Sequence, residues 1–161
     1  MDPRIDELNR VAAEIVQQVE AAVDRWRSLP EQAITFRPSE DAWSVKEIIG
    51  HLIDSASNNH QRFVRLQLVD RLDFPDYGDE NVNWVKIQKY QVQKWEELID
   101  LWRYFNRHLA HTISSVDPAY LTHFWQVDAE TRFTLFELMI DYLRHLELHL
   151  NQIAETLEAA T

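Results

Sequence analysis

FTLFELMIDYLRHLELHLNQIAETL, residues 133–157, contains a helix start and a helix face in one run. Thr134 followed three positions later by Glu137 forms a capping box, and Phe133 and Leu138 flank it as an apolar staple. The leucines that follow read as the buried face of a helix reaching about Leu157. Within that face His145 and His149 stand four apart, one above the other on the helix surface, where leucine or alanine would serve packing alone.

Working outward, the same signals recur. Residues 3–28 begin with Asp2 as N-cap and Pro3 at the first helical position. Ile5, Leu8, Ala12, Ile15, Val19, Val23 and Trp26 then follow at three- and four-residue steps, predicting a first helix. SLPEQAITFRPSEDAW, with its two prolines, is a connector. Ser44 and Glu47 make another capping box, with Trp43 and Ile48 as staple, and open a second helix predicted to reach about Asp70. RLDFPDYGDEN, residues 71–81, cannot readily continue a helix and is long for a link between antiparallel neighbours, so it reads as a crossover. A third helix follows, broken near Gln88, with Trp95, Leu98, Trp102, Phe105, Leu109 and Ile113 as its core stripe. SSVDPAYL ends it, and an irregular stretch leads through Trp125 to the fourth helix. Only two glycines, Gly50 and Gly78, occur in 161 residues, which favours long helices over many tight turns. The predicted fold is all-α: one domain over residues 1–161, a four-helix bundle with a long crossover between helices two and three.

Composition narrows the function. Apolar residues make up 45% of the chain, with six Trp, seven Phe and five Tyr, too many for a disordered polymer. No apolar run is long enough to span a membrane. The opening MDPRIDELNR has no signal-peptide core, which places the expected location in the cytoplasm. Twenty-seven acids against sixteen Lys and Arg give a formal charge of −11 with no basic cluster, so nucleic acid is not an expected partner. There is no cysteine, so any thiol chemistry must use a thiol supplied from outside.

The histidines have two readings each. His145 and His149 have metal-ligand spacing, yet such a pair also fits two half-exposed rings bordering an apolar stripe. His51 lies on the edge of the second helix's stripe, where a histidine bonded to a neighbour is the simpler reading. On a helical wheel His51, Ser55, Asn58 and Arg62 form one polar strip, and Asp141, His145, His149 and Gln152 form another. If the strips face each other, three imidazoles meet beside a cavity. His108 and His111, three apart beside Arg107 and without an obvious partner, read as rings on a solvated face, and His60 and His123 read the same way. Asp54 and Asp141 are each either an imidazole's hydrogen-bond acceptor or a plain helical acid. Arg62 reads as a surface ion pair, with a substrate carboxylate as the other option. These three stay outside the predicted site.

WSVKEIIGHLIDSASNNHQRF, FPDYGDENVNW and LRHLELHLNQI together resemble the DinB/YfiT-like superfamily and, within it, the bacillithiol S-transferase (YfiT-like) branch, over most of the chain. The resemblance implies a four-helix bundle with a crossover between its middle helices, frequent homodimers, and a metal site of one histidine from the second helix and two, four apart, from the fourth. The matching residues here are His51, His145 and His149.

Three neutral imidazoles leave a divalent ion, zinc or nickel, with a position open to water or substrate, the arrangement of a catalytic site. The expected function is transfer of a low-molecular-weight, bacillithiol-like thiol cosubstrate to an electrophilic small molecule. Hydrolysis by metal-bound water is the alternative, and a non-catalytic metal-binding dimer the second. A zincin would need Glu directly after the first histidine, where Leu146 stands. A di-iron carboxylate bundle would need Glu three residues before histidine, where Ile48 and Tyr142 stand.

Overall fold

Three of the four long helices start at caps legible in the sequence. In the computed structural model, which describes residues 2–161, the Asp2 carboxylate accepts from the Arg4 N–H and opens α1 (Pro3–Trp26). Ser44 Oγ accepts from the Glu47 N–H while the Glu47 carboxylate accepts from the Ser44 N–H, opening α3 (Val45–Arg65) after the short α2 (Glu31–Thr35). Thr134 and Glu137 repeat that exchange ahead of α6 (Leu135–Ala159). The break expected near Gln88 is present: α4 (Asn81–Gln88) stops at Lys89, whose φ of 53° is left-handed, and α5 (Trp95–Ser114) starts after one further tight turn. The helix expected to reach Asp70 ends at Arg65, because the chain turns at Leu66 into an extended segment.

The predicted apolar stripes are the core. Leu8, Ala12, Ile15, Val19, Val23 and Trp26 of α1 and Trp95, Leu98, Trp102, Leu109 and Ile113 of α5 are buried, and Phe105 is half-buried. Five of the six tryptophans are also covered. Among them only Trp84 is exposed, at 37%, and Tyr104 and Phe133 are the other exposed large aromatics.

Helix directions follow from which residues meet. Glu20 pairs with Arg103, Arg27 with Asp100, and the Trp95 indole N–H donates to the Trp26 carbonyl, so α1 and α5 are antiparallel. Against α6, His51 meets His149, Ser55 meets His145 and Phe63 meets Tyr142, so α3 and α6 are antiparallel as well. The middle pair differs. Ser44 and Gln91 touch just ahead of α3 and α5, and further along His60 touches Phe105 and His108, so α3 and α5 run parallel. Each long helix packs on two others, α1 on α5 and α6, and α3 on α5 and α6.

Adjacent parallel helices force the chain to travel back along α3, about 30 Å for its 21 residues, before starting α5. Residues 66–94 make that return, which is the predicted crossover. It is not all coil. β1 (Arg71–Asp73) pairs in parallel with β2 (Phe124–Gln126), and β2 pairs antiparallel with β3 (Arg132–Thr134), placing Trp125 between Leu72 and Phe133. This small sheet departs from a purely helical expectation, since three-residue strands are too short to show a period of two. It fixes buried Trp125, whose indole N–H donates to the Phe74 carbonyl.

Gly50 marks the tightest approach. A Cβ there would lie 2.0 Å from the Tyr90 ring, whose hydroxyl donates to Asp54 at 2.6 Å. Gly50→Ala is therefore expected to displace Tyr90 and lower stability by about 1–3 kcal/mol, the range for overpacking a core. An unchanged urea midpoint would contradict this contact.

Candidate metal centre

Antiparallel packing of α3 on α6 brings the two polar strips face to face. His51, 3% exposed and in the second turn of α3, meets half-buried His145 and His149 from the middle of α6. The three Nε2 atoms lie 3.4 Å (His51–His145), 3.1 Å (His51–His149) and 3.1 Å (His145–His149) apart. Ligand atoms about 2.05 Å from one tetrahedral ion are themselves about 3.3 Å apart, so the spacing suits one divalent ion.

The outer nitrogens decide the tautomers. His51 Nδ1 faces the Tyr77 hydroxyl at 3.3 Å, His145 Nδ1 faces Ser55 Oγ at 3.4 Å, and His149 Nδ1 lies 2.7 Å from Gln152 Oε1. An amide oxygen only accepts, so His149 Nδ1 carries a proton, and the same assignment for the other two rings turns every Nε2 lone pair inward. Such outer partners fix ligating imidazoles in metal sites. Three converging lone pairs with no proton between them repel one another, and a cation at their centre removes that conflict. Burial, with the neighbouring His149 and His145 rings, pushes His51 down to about 3. Burial and His149 push His145 down to about 4, and burial lowers His149 against the opposing Gln152 bond. All three rings are neutral near pH 7, the form that binds metal.

A cavity of about 220 Å³ opens beside the cluster, with His51 and His145 in its wall together with Ser55, Arg62, Tyr77 and Trp125. The Trp43 ring covers His51 from another side, 4.9 Å between centroids.

Several sequence expectations change here. Arg62 is not a surface ion pair; it is 4% exposed, stacked 3.9 Å over Trp125. Asn58 leaves its strip to donate to the Asp54 carbonyl, and Asn59 lines the cavity instead. Asp54 turns away from His51 and accepts from Tyr90 and Gln88, both at 2.6 Å. Asp141 is the solvated helical acid, bonded to Arg144. His108 and His60, read as lacking a partner, face each other at 3.2 Å between Nε2 atoms, whereas His123 is satisfied by the Leu66 carbonyl. Tyr77 was absent from the predicted site. Its one signal was an aromatic within the acidic crossover, and no periodicity ties that segment to a helix face.

A bundle with a parallel middle pair and a three-imidazole cluster between its second and fourth long helices is a fold suited to holding a divalent ion at the mouth of a small cavity. The chain belongs to the DinB superfamily, which its residues 12–153 match. Among solved structures it is similar to YfiT from Bacillus subtilis, a probable metal-dependent hydrolase with an unusual four-helix bundle topology. The two are 16% identical over 97% of this chain and 87% of that one, with a TM-score of 0.75. At that identity the likeness shows the shared fold. No curated protein matches the chain. No helix among the described residues is long and apolar enough to cross a membrane.

The depressed imidazoles set an acid limit for the metal-free protein. Histidine in the unfolded chain titrates near 6.5, above the folded values, so below that pH the unfolded state holds more protons. The stability is fully present above about pH 6.5 and is lost as pH falls toward 4 and 3, by at most about 1.4 kcal/mol per pH unit for each ring. Urea midpoints of metal-free protein at pH 7.5 and 5.5 should show this loss, and His51→Gln should reduce it. A flat profile would contradict the burial of neutral rings.

Proposed function

We propose that His51, His145 and His149 bind one divalent ion, zinc or nickel, and that the protein is a metal-dependent hydrolase of a small molecule held in the adjoining cavity. The observation that carries the reading is the inward convergence of three neutral Nε2 lone pairs, each ring braced through Nδ1, beside a cavity whose wall includes His51 and His145. The probable hydrolase activity of the structurally similar YfiT supports the same class. An ion held by three imidazoles supplies a Lewis acid with an open coordination position that acidifies a bound water or thiol. Tyr77 holds His51 in the tautomer that frees Nε2. Ser55 and Gln152 do so for the other two rings. Trp125, Phe133 and Leu138 give the cavity an apolar wall.

A second reading, transfer of a low-molecular-weight thiol of the bacillithiol type to an electrophile, is favoured by the polar groups of the cavity. Asp141 is engaged by Arg144, Asp76 lies beside Arg62, and burial raises the Tyr77 hydroxyl well above its usual range. None is a strong base beside the three rings, and a thiol, intrinsically far more acidic than water, reaches its anion on such an ion with less help. A homodimer is also proposed, on the resemblance; a monomer mass in sedimentation would reject it.

Replacing His51, His145 or His149 by Ala should abolish stoichiometric metal while far-UV circular dichroism stays near native. Metal-loaded native protein should hydrolyse ester or amide substrates, and the His149→Ala protein should not. If a panel of thiols instead accelerates loss of a haloalkane with thioether formation, while esters and amides remain intact, the transferase reading replaces the hydrolase.

Tyr77→Phe removes the partner of His51 Nδ1 and keeps the ring that packs on Trp84 at 5.2 Å. Metal affinity should fall about 10-fold or more, as for other outer partners of ligating histidines. Equal affinity in a competition titration with a chelator would remove Tyr77 from the site.

A further inference from the structure

Arg62 is a buried cation without an adequate anion. Its side chain is 5% exposed, its Nε has no hydrogen-bond partner, and Nη2 makes only a long 3.4 Å bond to the Pro75 carbonyl. The nearest carboxylate, Asp76, is 3.8 Å away and 47% exposed, too distant and too hydrated to offset the charge fully. In a chain with eleven more acids than bases, placing acids around a cation is easy, yet this one is left short. Its guanidinium lies over Trp125 at 3.9 Å, and stacking of that kind occupies the face and leaves the edge for in-plane acceptors. Arg62 lines the same cavity as His51 and His145.

We propose that Arg62 is the carboxylate-binding residue of this cavity, so that the molecule processed at the three histidines carries a carboxylate at its far end. The proposal rests on the metal-dependent reading for what happens at the histidines, and on Arg62 alone for the anion. One guanidinium beside Asp76, with Asp141 also in the wall, suits a singly charged planar carboxylate better than a phosphate dianion. Position sets the reach. Arg62 is eleven residues beyond His51 on α3, a rise of about 16 Å, and long helical side chains lean back toward the N-terminus, shortening the gap between guanidinium and imidazoles to on the order of 10 Å. The ligand is therefore an elongated acid with its reacting group several bonds from the carboxylate. The apolar wall of Trp125, Phe133 and Leu138 accommodates an alkyl or aryl linker.

The test is calorimetric titration of metal-free protein at pH 8, where the three imidazoles are neutral, with hexanoate and with its uncharged counterpart hexanamide. Native protein should bind hexanoate at least tenfold more tightly than hexanamide. Arg62→Met should lose that preference without a lower thermal midpoint, because it removes an unpaired buried charge. Arg62→Lys, which keeps the charge and loses the planar fork, should fall between them and serves if the methionine protein does not fold. Equal binding of hexanoate and hexanamide by native protein, or undiminished hexanoate binding in both variants, would overturn the assignment. No reaction is measured, so the outcome is separate from that of the hydrolase reading. Intact binding with no hydrolysis of any ester removes the reaction and leaves the anion site. Hydrolysis of neutral esters with no carboxylate preference does the reverse.

Discussion

Parallel packing of α3 against α5 is the constraint from which the functional end of the molecule follows. Two neighbouring helices that point the same way cannot be joined by a tight turn, so residues 66–94 must cross the length of α3 before α5 can begin. That return path brings Tyr77 to His51 and Asp76 to Arg62, and it carries β1 into the small sheet that seats Trp125. An up-down-up-down bundle would have joined the same helices with short loops and left the α3 strip uncovered. The close approach of Tyr90 to Gly50, at the end of the same path, ties the connection back to the helix it crosses.

The second organising force is electrostatic. Neutral imidazoles can share a small space only if their protons point away from one another, and Tyr77, Ser55 and Gln152 take up the outer nitrogens. Two of these three partners sit about one turn from an imidazole of the cluster on the same polar strip, Ser55 beyond His51 and Gln152 beyond His149. The helices thus hold both imidazoles and braces in register, while the third brace comes from the connection.

What was legible in the amino-acid order was whatever repeats with the helix. Caps at Asp2, Ser44 and Thr134, the apolar stripes of α1 and α5, and the stacking of His145 with His149 on one face of α6 all depend on three- and four-residue spacing, and all are present in the structure. The DinB superfamily resemblance added which strips face each other. Features set by non-local contact were not legible. Arg62 looks like any charged residue near a helix end until Trp125, sixty-three positions later, is folded against it. Tyr77 lies in a segment without period, and β1, β2 and β3 are three residues each. The His60–His108 pair likewise exists only because α3 and α5 are parallel and adjacent.

The division of labour between helices and connection bears on how such a protein diverges. His51, His145, His149 and Arg62 are all set on two helices that pack directly together, whereas Asp76 and Tyr77, which line the cavity, belong to a segment that contributes little to the core apart from Leu66, Leu72, Val85 and Tyr90. Replacements in that segment that spare Tyr77 can remodel the surroundings of the cavity while the three imidazoles and Arg62 keep the positions their helices set. A bundle of this kind can change what fits its cavity by exchanging one strap, and its overall shape is shared with YfiT at 16% identity because the fold asks for pattern along the helices and for very few particular side chains.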